Sequence, residues 1–176
     1  MSNQRFDMVL RDGRHATLER VYGEEAWNAA RSVGLGRDRW GSLIEFAETG
    51  PAATWVAFLD QDGTRTPAGI AGYSRASGSR STPEMVVMVA PAYRNVGIGT
   101  VLFETLLMNA LEHGLDHLVT RVPSRSSLVT RLESRASRMR SAPTLDHVEM
   151  EIPVSSSQRT LLSSAAALPV LRSRTS

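Results

Sequence analysis

The stretch from Glu84 to Gly114 constrains the fold of this 176-residue chain more than any other. It opens on Glu84-Met-Val-Val-Met-Val89, an almost continuous apolar run of the kind a strand carries when both its faces are covered. It closes on Ile98 to His113, where Val101, Leu102, Thr105, Leu106, Met108, Asn109 and Leu111 wrap most of a helix, with Gly114 in the place of a C′ glycine. The junction between them holds Arg94, Gly97 and Gly99. Glycines at a strand-to-helix junction let the backbone come close to a ligand, because no Cβ intervenes. The first amides of the helix have no partner within it, and the dipole leaves partial positive charge there. Such a terminus binds phosphate, and Arg94 adds a permanent cation with a fork of donors. The junction therefore reads as a pyrophosphate cradle.

Composition removes several chemistries. Every one of the 20 basic residues is arginine, so neither a P-loop lysine nor a protein Schiff base is available. The absence of cysteine removes thiol nucleophiles, thiolate zinc sites and disulfides. With 41% hydrophobic residues and a mean hydropathy of −0.18, the chain suits one soluble domain with a real core. Neither a membrane span nor a signal-peptide core is expected from the sequence, which makes the cytoplasm the default compartment. A net charge of +2 suits an anionic ligand, while the scattered arginines, lacking interleaved aromatics, argue against nucleic acid.

Around the junction, the spacing predicts a hairpin from Met8–Arg11 and His15–Val21 about a two-residue Asp12-Gly13 turn. A short helix follows over Glu24–Ser32, stopped by Gly34 and Gly36, and a second over Asp38–Glu48 with Trp40, Leu43, Ile44 and Ala47 on its apolar face. Thr54–Asp60 and Ala68–Ala76 read as antiparallel strands joined by a turn at Gln61–Thr64, and Ser77–Thr82 as a polar loop. Leu118–Val122 reads as a strand parallel to the one starting at Glu84, since a helix separates them. Ser127–Ser137 is a weaker helix and His147–Val154 a closing strand. Residues 155–176 are serine- and alanine-rich and read as a C-terminal tail, flexible or partly helical, leaving residues 1–154 as the domain.

Arg94-Asn-Val-Gly97-Ile-Gly99, following a strand and opening a helix, resembles the Gln/Arg-x-x-Gly-x-Gly/Ala signature of the GNAT superfamily of acyl-CoA-dependent N-acyltransferases. The order of elements resembles that family from Met8 to Val154. A finer likeness is to the GNAT domains of bacterial protein lysine acetyltransferases, which also begin with an Arg-Asp-Gly turn, here Arg11-Asp12-Gly13. The resemblance implies a single α/β (α+β) domain. Its central sheet would be mixed and mostly antiparallel, with flanking helices and one parallel strand pair at the cofactor site. It implies acetyl-CoA as cosubstrate, no metal, and an amine acceptor, either a protein lysine or a small molecule, with a homodimer allowed. Val87, Met88 and Val89 would bond the pantetheine arm. Arg94, Asn95, Val96, Gly97, Ile98, Gly99 and Thr100 would hold the pyrophosphate. Glu84 matches the position of the family's general base, and burial would raise its pKa toward neutrality. The sequence departs from the family after the next strand, where Ser126 stands in place of an asparagine. The following helix contains no tyrosine to protonate the thiolate; Ser124 to Ser127 read either as a helix cap or as donors to the thiolate, Ser127 being the candidate catalytic residue.

Competing readings are weaker on the residues themselves. A Rossmann fingerprint needs a third glycine that Thr100–Phe103 does not supply. His113 and His117 are four apart, but Gly114 and the helix end between them break a shared metal-binding face. Arg131, Arg135, Arg138 and Arg140 fall partly on one helical face and read as solvated. The alternative to an enzyme is a GNAT-like module that binds acyl-CoA as a sensor or partner, motivated by the departures above.

Overall fold

The computed structural model describes residues 4–34, 54–61, 63–74, 83–124, 129, 132–133, 135–136, 138–141, 147–154 and 172–173. Strands β1 (Arg5–Val9), β2 (His15–Val21), β3 (Thr54–Gln61), β4 (Thr64–Ser74), β5 (Glu84–Val89), β6 (His117–Pro123), β7 (Arg138–Ser141), β8 (His147–Pro153) and β9 (Arg172–Ser173) form one sheet. Their order is β7-β8-β6-β5-β4-β3-β2-β1-β9, and β5 with β6 is the parallel pair. The sheet is thus mixed and mostly antiparallel, as the sequence leads one to expect. Helices α1 (Gly23–Ser32) and α2 (Ile98–Glu112) cover opposite faces. Trp55, Ala57 and Leu59 face Ile98, Val101, Leu102 and Leu106 of α2. Their neighbours Val56 and Phe58 face Ala26, Ala29 and Ala30 of α1, the period-two alternation of a strand buried on both sides.

Helix α2 ends as its sequence predicts. Gly114 takes φ +69°, its amide donates to the Leu111 carbonyl (3.0 Å), and the Leu115 amide donates to that of Ala110 (3.0 Å). This doubly bonded C-cap satisfies carbonyls that the helix leaves open. The helix sits close to the sheet because of Gly69 in β4. A Cβ there would lie 2.8 Å from Ile98 Cγ2 and 2.9 Å from Leu102 Cδ1.

Several expectations need correction. The first hairpin does not turn in two residues, because β1 ends at Val9, which pairs with His15, leaving residues 10–14 as the loop. Leu10 leaves the ladder to enter the core, 3% exposed, and its amide bonds to the Arg14 carbonyl at 2.8 Å. Strand β4 begins at Thr64, four residues before the expected start. The β5 strand has the predicted bounds but only Met85 is fully buried; Val86 through Val89 are half-buried, for a reason given below. Arg138 and Arg140 lie on strand β7, opposite Glu151 and Glu149 of β8, and not on a helix. Backbone pairing with β8 decides that placement, which a single segment cannot reveal. Of the expected Ser127–Ser137 helix, Val129, Leu132 and Glu133 are helical. Within the expected tail, Arg172 and Ser173 pair with Asp7 and Phe6 of β1. The expected helix over Asp38–Glu48, the loop Ser77–Thr82 and most of residues 155–176 lie outside the described residues.

Candidate active site

The junction after β5 is shaped by two left-handed residues. A 3₁₀ turn at Pro91–Tyr93 leads into Arg94, Asn95 takes φ +67°, and Gly97 takes φ +103° as the N-cap of α2. Left-handed Gly97 followed by right-handed Ile98 points successive amides to one side, the backbone arrangement of an anion-binding concavity. Gly97 offers no capping side chain, and the first intrahelical acceptor is its own carbonyl, taken by Thr100 and Val101 at 3.1 Å each. The amides of Ile98 and Gly99 precede that point and are left for an external acceptor. Gly99 also meets a packing demand: a Cβ there would press on Val89 Cγ2 at 3.3 Å, so this glycine lets the helix start lie on the end of β5. Arg94 is exposed, with its Nε 3.4 Å from the Val89 carbonyl oxygen, which turns the guanidinium back toward the strand end. The Val96 carbonyl accepts from the Arg11 amide at 3.1 Å, tying the first hairpin to the turn.

The second feature is a split in the sheet. β5 pairs with β4 along its length, from Ser74↔Glu84 to Gly69↔Val89. With β6 it shares one register point, Glu84↔Val119, beside the Val119 amide bond to the Pro83 carbonyl (2.8 Å). Beyond Glu84 the two strands diverge, while β6 stays paired with β8 from His117 to Pro123. Among the described residues, none pairs with the β6-facing backbone edge of Val87, Met88 and Val89, and their half-burial follows from that open edge. An unpaired strand edge presents amides and carbonyls at the spacing an extended, amide-bearing ligand can match. That edge runs directly into the Arg94–Thr100 turn, so the two features form one continuous groove wall.

Glu84 stands where the strands part. Its side chain is 35% exposed, so the burial expected of it is not met, and its Oε1 lies 3.5 Å from Nη1 of Arg121. Arg121 in turn places Nε 3.2 Å from Glu149 Oε2. Arg121 was not among the residues expected at the site. Its signal was present, however: it lies two residues beyond Val119 on the same face of β6, and Val119 is the parallel register partner of Glu84. Ser127 lies outside the described residues.

Several other titratable groups have partners away from this turn. His113 sets its Nδ1 2.7 Å from the Asn109 carbonyl oxygen, and His117 faces Glu151 across β6 and β8 at 3.8 Å. Burial pushes the Glu104 carboxyl above its ordinary range, against the opposing pull of Arg135, whose Nη1 is 2.5 Å away. Arg135 is thus a partner for a buried carboxylate and not a solvated residue. The Tyr73 hydroxyl donates to the buried Asn109 Oδ1 at 3.0 Å, well inside the core. No helix among the described residues is long and apolar enough to cross a membrane.

Taken together, the diverging parallel pair β5 and β6 and the turn with two left-handed residues belong to a fold of the GNAT class. Residues 13–128 match the Acetyltransferase (GNAT) family, and the chain belongs to that family of acetyltransferases. Its fold is similar to that of the GNAT domain of S. lividans PAT, at 15% identity and a TM-score of 0.61 over 84% of this chain and 95% of that one. It is also similar to yncA from Salmonella typhimurium, a structure with its cofactor acetyl-CoA, at 17% identity and a TM-score of 0.57 over 79% and 95%. A third similar fold is the N-acetyltransferase from Staphylococcus aureus Mu50, at 16% identity and a TM-score of 0.58 over 80% and 99%. No curated protein matches the sequence.

Proposed function

We propose that this chain moves an acetyl group from acetyl-CoA to a primary amine, a protein lysine or a small-molecule amine, within a ternary complex. The observation that carries the reading is the open edge of β5, running from Glu84 into the phosphate turn. Val87, Met88 and Val89 bond the amides of the pantetheine arm by adding it to the sheet edge. The amides of Ile98 and Gly99, with Arg94, Asn95, Val96 and Thr100 around them, hold the pyrophosphate. Glu84, directly or through a water, takes the proton of the acceptor ammonium, and the free amine attacks the acyl carbon. An amide of the β5 edge stabilises the charge that develops on the acyl oxygen. The departing thiolate takes a proton from the Ser127 hydroxyl or from water. Residues 1–154 constitute the transferase domain and 155–176 a C-terminal tail, and the cytoplasm is the compartment this reading implies.

Thiol release measured with a panel of amines, wild type against Glu84→Gln, tests the role of the glutamate. The variant is expected to keep its acetyl-CoA affinity while turnover falls by about 10² to 10⁴, the usual effect of losing a positioned base. Equal turnover would assign proton removal to water alone. One observation favours a second reading, a module that binds acyl-CoA without turnover: Glu84 is paired with Arg121. That reading requires cofactor binding with no thiol release from any amine.

A further inference from the structure

The loop between β1 and β2, residues 10–14, forms a second wall of the phosphate turn. Buried Leu10 anchors it in the core, and the bonds Leu10 amide to Arg14 carbonyl (2.8 Å) and Gly13 amide to Leu10 carbonyl (2.9 Å) close it on itself. It touches the turn on both sides of Asn95. The Arg11 amide donates to the Val96 carbonyl at 3.1 Å, and the Arg14 guanidinium lies 5.4 Å from the centre of the Tyr93 ring. A loop held in this way presents its side chains to the turn with little freedom.

Its two arginines are used differently. The Arg14 charge is matched by Asp12, with Nη2 2.6 Å and Nε 2.8 Å from Oδ2. Arg11 is exposed, and among the described residues no ion pair or side-chain hydrogen bond engages its guanidinium. Its side chain passes beside the N-cap of α2: a Cβ on Gly97 would lie 3.8 Å from Arg11 Cγ and 3.9 Å from its Nε. Arg94 turns the other way, toward the Val89 carbonyl. A diphosphate carries charge on each phosphoryl group. The helix end supplies about half an elementary charge, so Arg94 alone leaves one phosphoryl poorly matched. We propose that Arg11 is a second diphosphate-binding cation, held at Gly97 by the bond of its own amide to Val96. This rests on the coenzyme A reading above.

The side chain can be tested without disturbing the amide that locks the turn. Calorimetry with coenzyme A and with dephospho-coenzyme A, which lacks only the 3′-phosphate, compares wild type, Arg11→Gln, Arg11→Lys and Arg14→Gln. Arg11→Gln is expected to weaken both ligands by the same factor, about 10- to 100-fold, with its melting temperature unchanged. Arg11→Lys recovers part of the loss, since it restores a point charge without the fork. Arg14→Gln stays close to wild type, and the salt dependence of binding becomes shallower in Arg11→Gln. Unchanged affinity in Arg11→Gln overturns the proposal, as does a loss confined to coenzyme A, which would put the residue on the 3′-phosphate. An equal loss in Arg11→Gln and Arg11→Lys with lowered melting temperatures also overturns it, in favour of a packing role. A folded wild-type protein that binds neither ligand overturns the coenzyme A reading and this proposal with it.

Discussion

At Gly97 the backbone takes φ +103°, and a Cβ there would meet nothing nearer than Arg11 Cγ at 3.8 Å. The demand on this position is therefore conformational, since an L residue in the left-handed region costs about 1–2 kcal/mol. Gly97→Glu should tolerate that cost and fold, yet set a carboxylate against the first amides of α2. Coenzyme A binding should then disappear in calorimetry while circular dichroism stays native. Unchanged affinity in the folded variant would break the link from this turn to the cofactor. Asn95 meets a similar demand at φ +67° with the residue type that, after glycine, adopts it most readily.

Helix α2 depends on a glycine that lies outside it. A Cβ on Gly69 would stand 2.8 Å from Ile98 Cγ2 and 3.1 Å from the Met88 carbonyl oxygen, and the second of these is backbone with little room to yield. Gly69→Ala is expected to destabilise the protein by about 1–3 kcal/mol, the scale of overpacking a core. Because Ile98 is the first residue of the helix, coenzyme A affinity should fall in the same variant. Urea denaturation with a parallel cofactor titration checks both effects. The same helix carries Glu104, whose carboxyl burial raises above its ordinary 4.5, with Arg135 opposing. The native state then holds that proton more tightly than the unfolded chain. Its contribution to stability is fully present below about pH 4.5 and is lost as pH rises through the raised value. Glu104→Gln cannot titrate, so the stability difference between variant and wild type should move in the variant's favour as pH rises above 4.5. Parallel stability curves would show that the carboxylate is fully compensated by Arg135.

Across the whole molecule, the sheet is two paired blocks, β9 through β5 and β6 with β8 and β7, that meet at one register point. The groove between them, open beyond Glu84, is a property of neither block alone. The molecule's charge is also unusual in kind, since its cations are all arginine. The chain therefore offers no lysine of its own as an amine acceptor. Incubation of the tag-free protein with acetyl-CoA should add no acetyl mass to any side chain, as read by intact-mass spectrometry with fragment mapping. The N-terminal amine, with a pKa near about 8, is the one ordinary amine acceptor left. Acetylation at an internal residue would contradict amine-only chemistry and indicate a hydroxyl acceptor.

Local signals carried much of this fold. The strand-to-helix turn at Arg94–Gly99, the bounds of β5, the C-cap of α2 at Gly114 and the strand order around them follow from apolar periodicity and glycine placement, because those preferences act over a few residues. The family resemblance was likewise legible in Arg94, Gly97 and Gly99 with their flanking elements. Long-range pairing decided the rest. The first hairpin opened because burying Leu10 and bonding Arg11 to Val96 outweighed a two-residue turn. Arg138 and Arg140 joined a strand because their backbone pairs with β8 at Glu151 and Glu149. Glu84 is only partly buried because β6 turns away and brings Arg121 beside it. The packing demand at Gly99 arises because Val89 lies beneath it. A sequence determines which segments are helix, strand or turn through local sterics and periodicity. Which side chains meet across the open groove depends on how the strands diverge, and that exists only once the sheet is assembled.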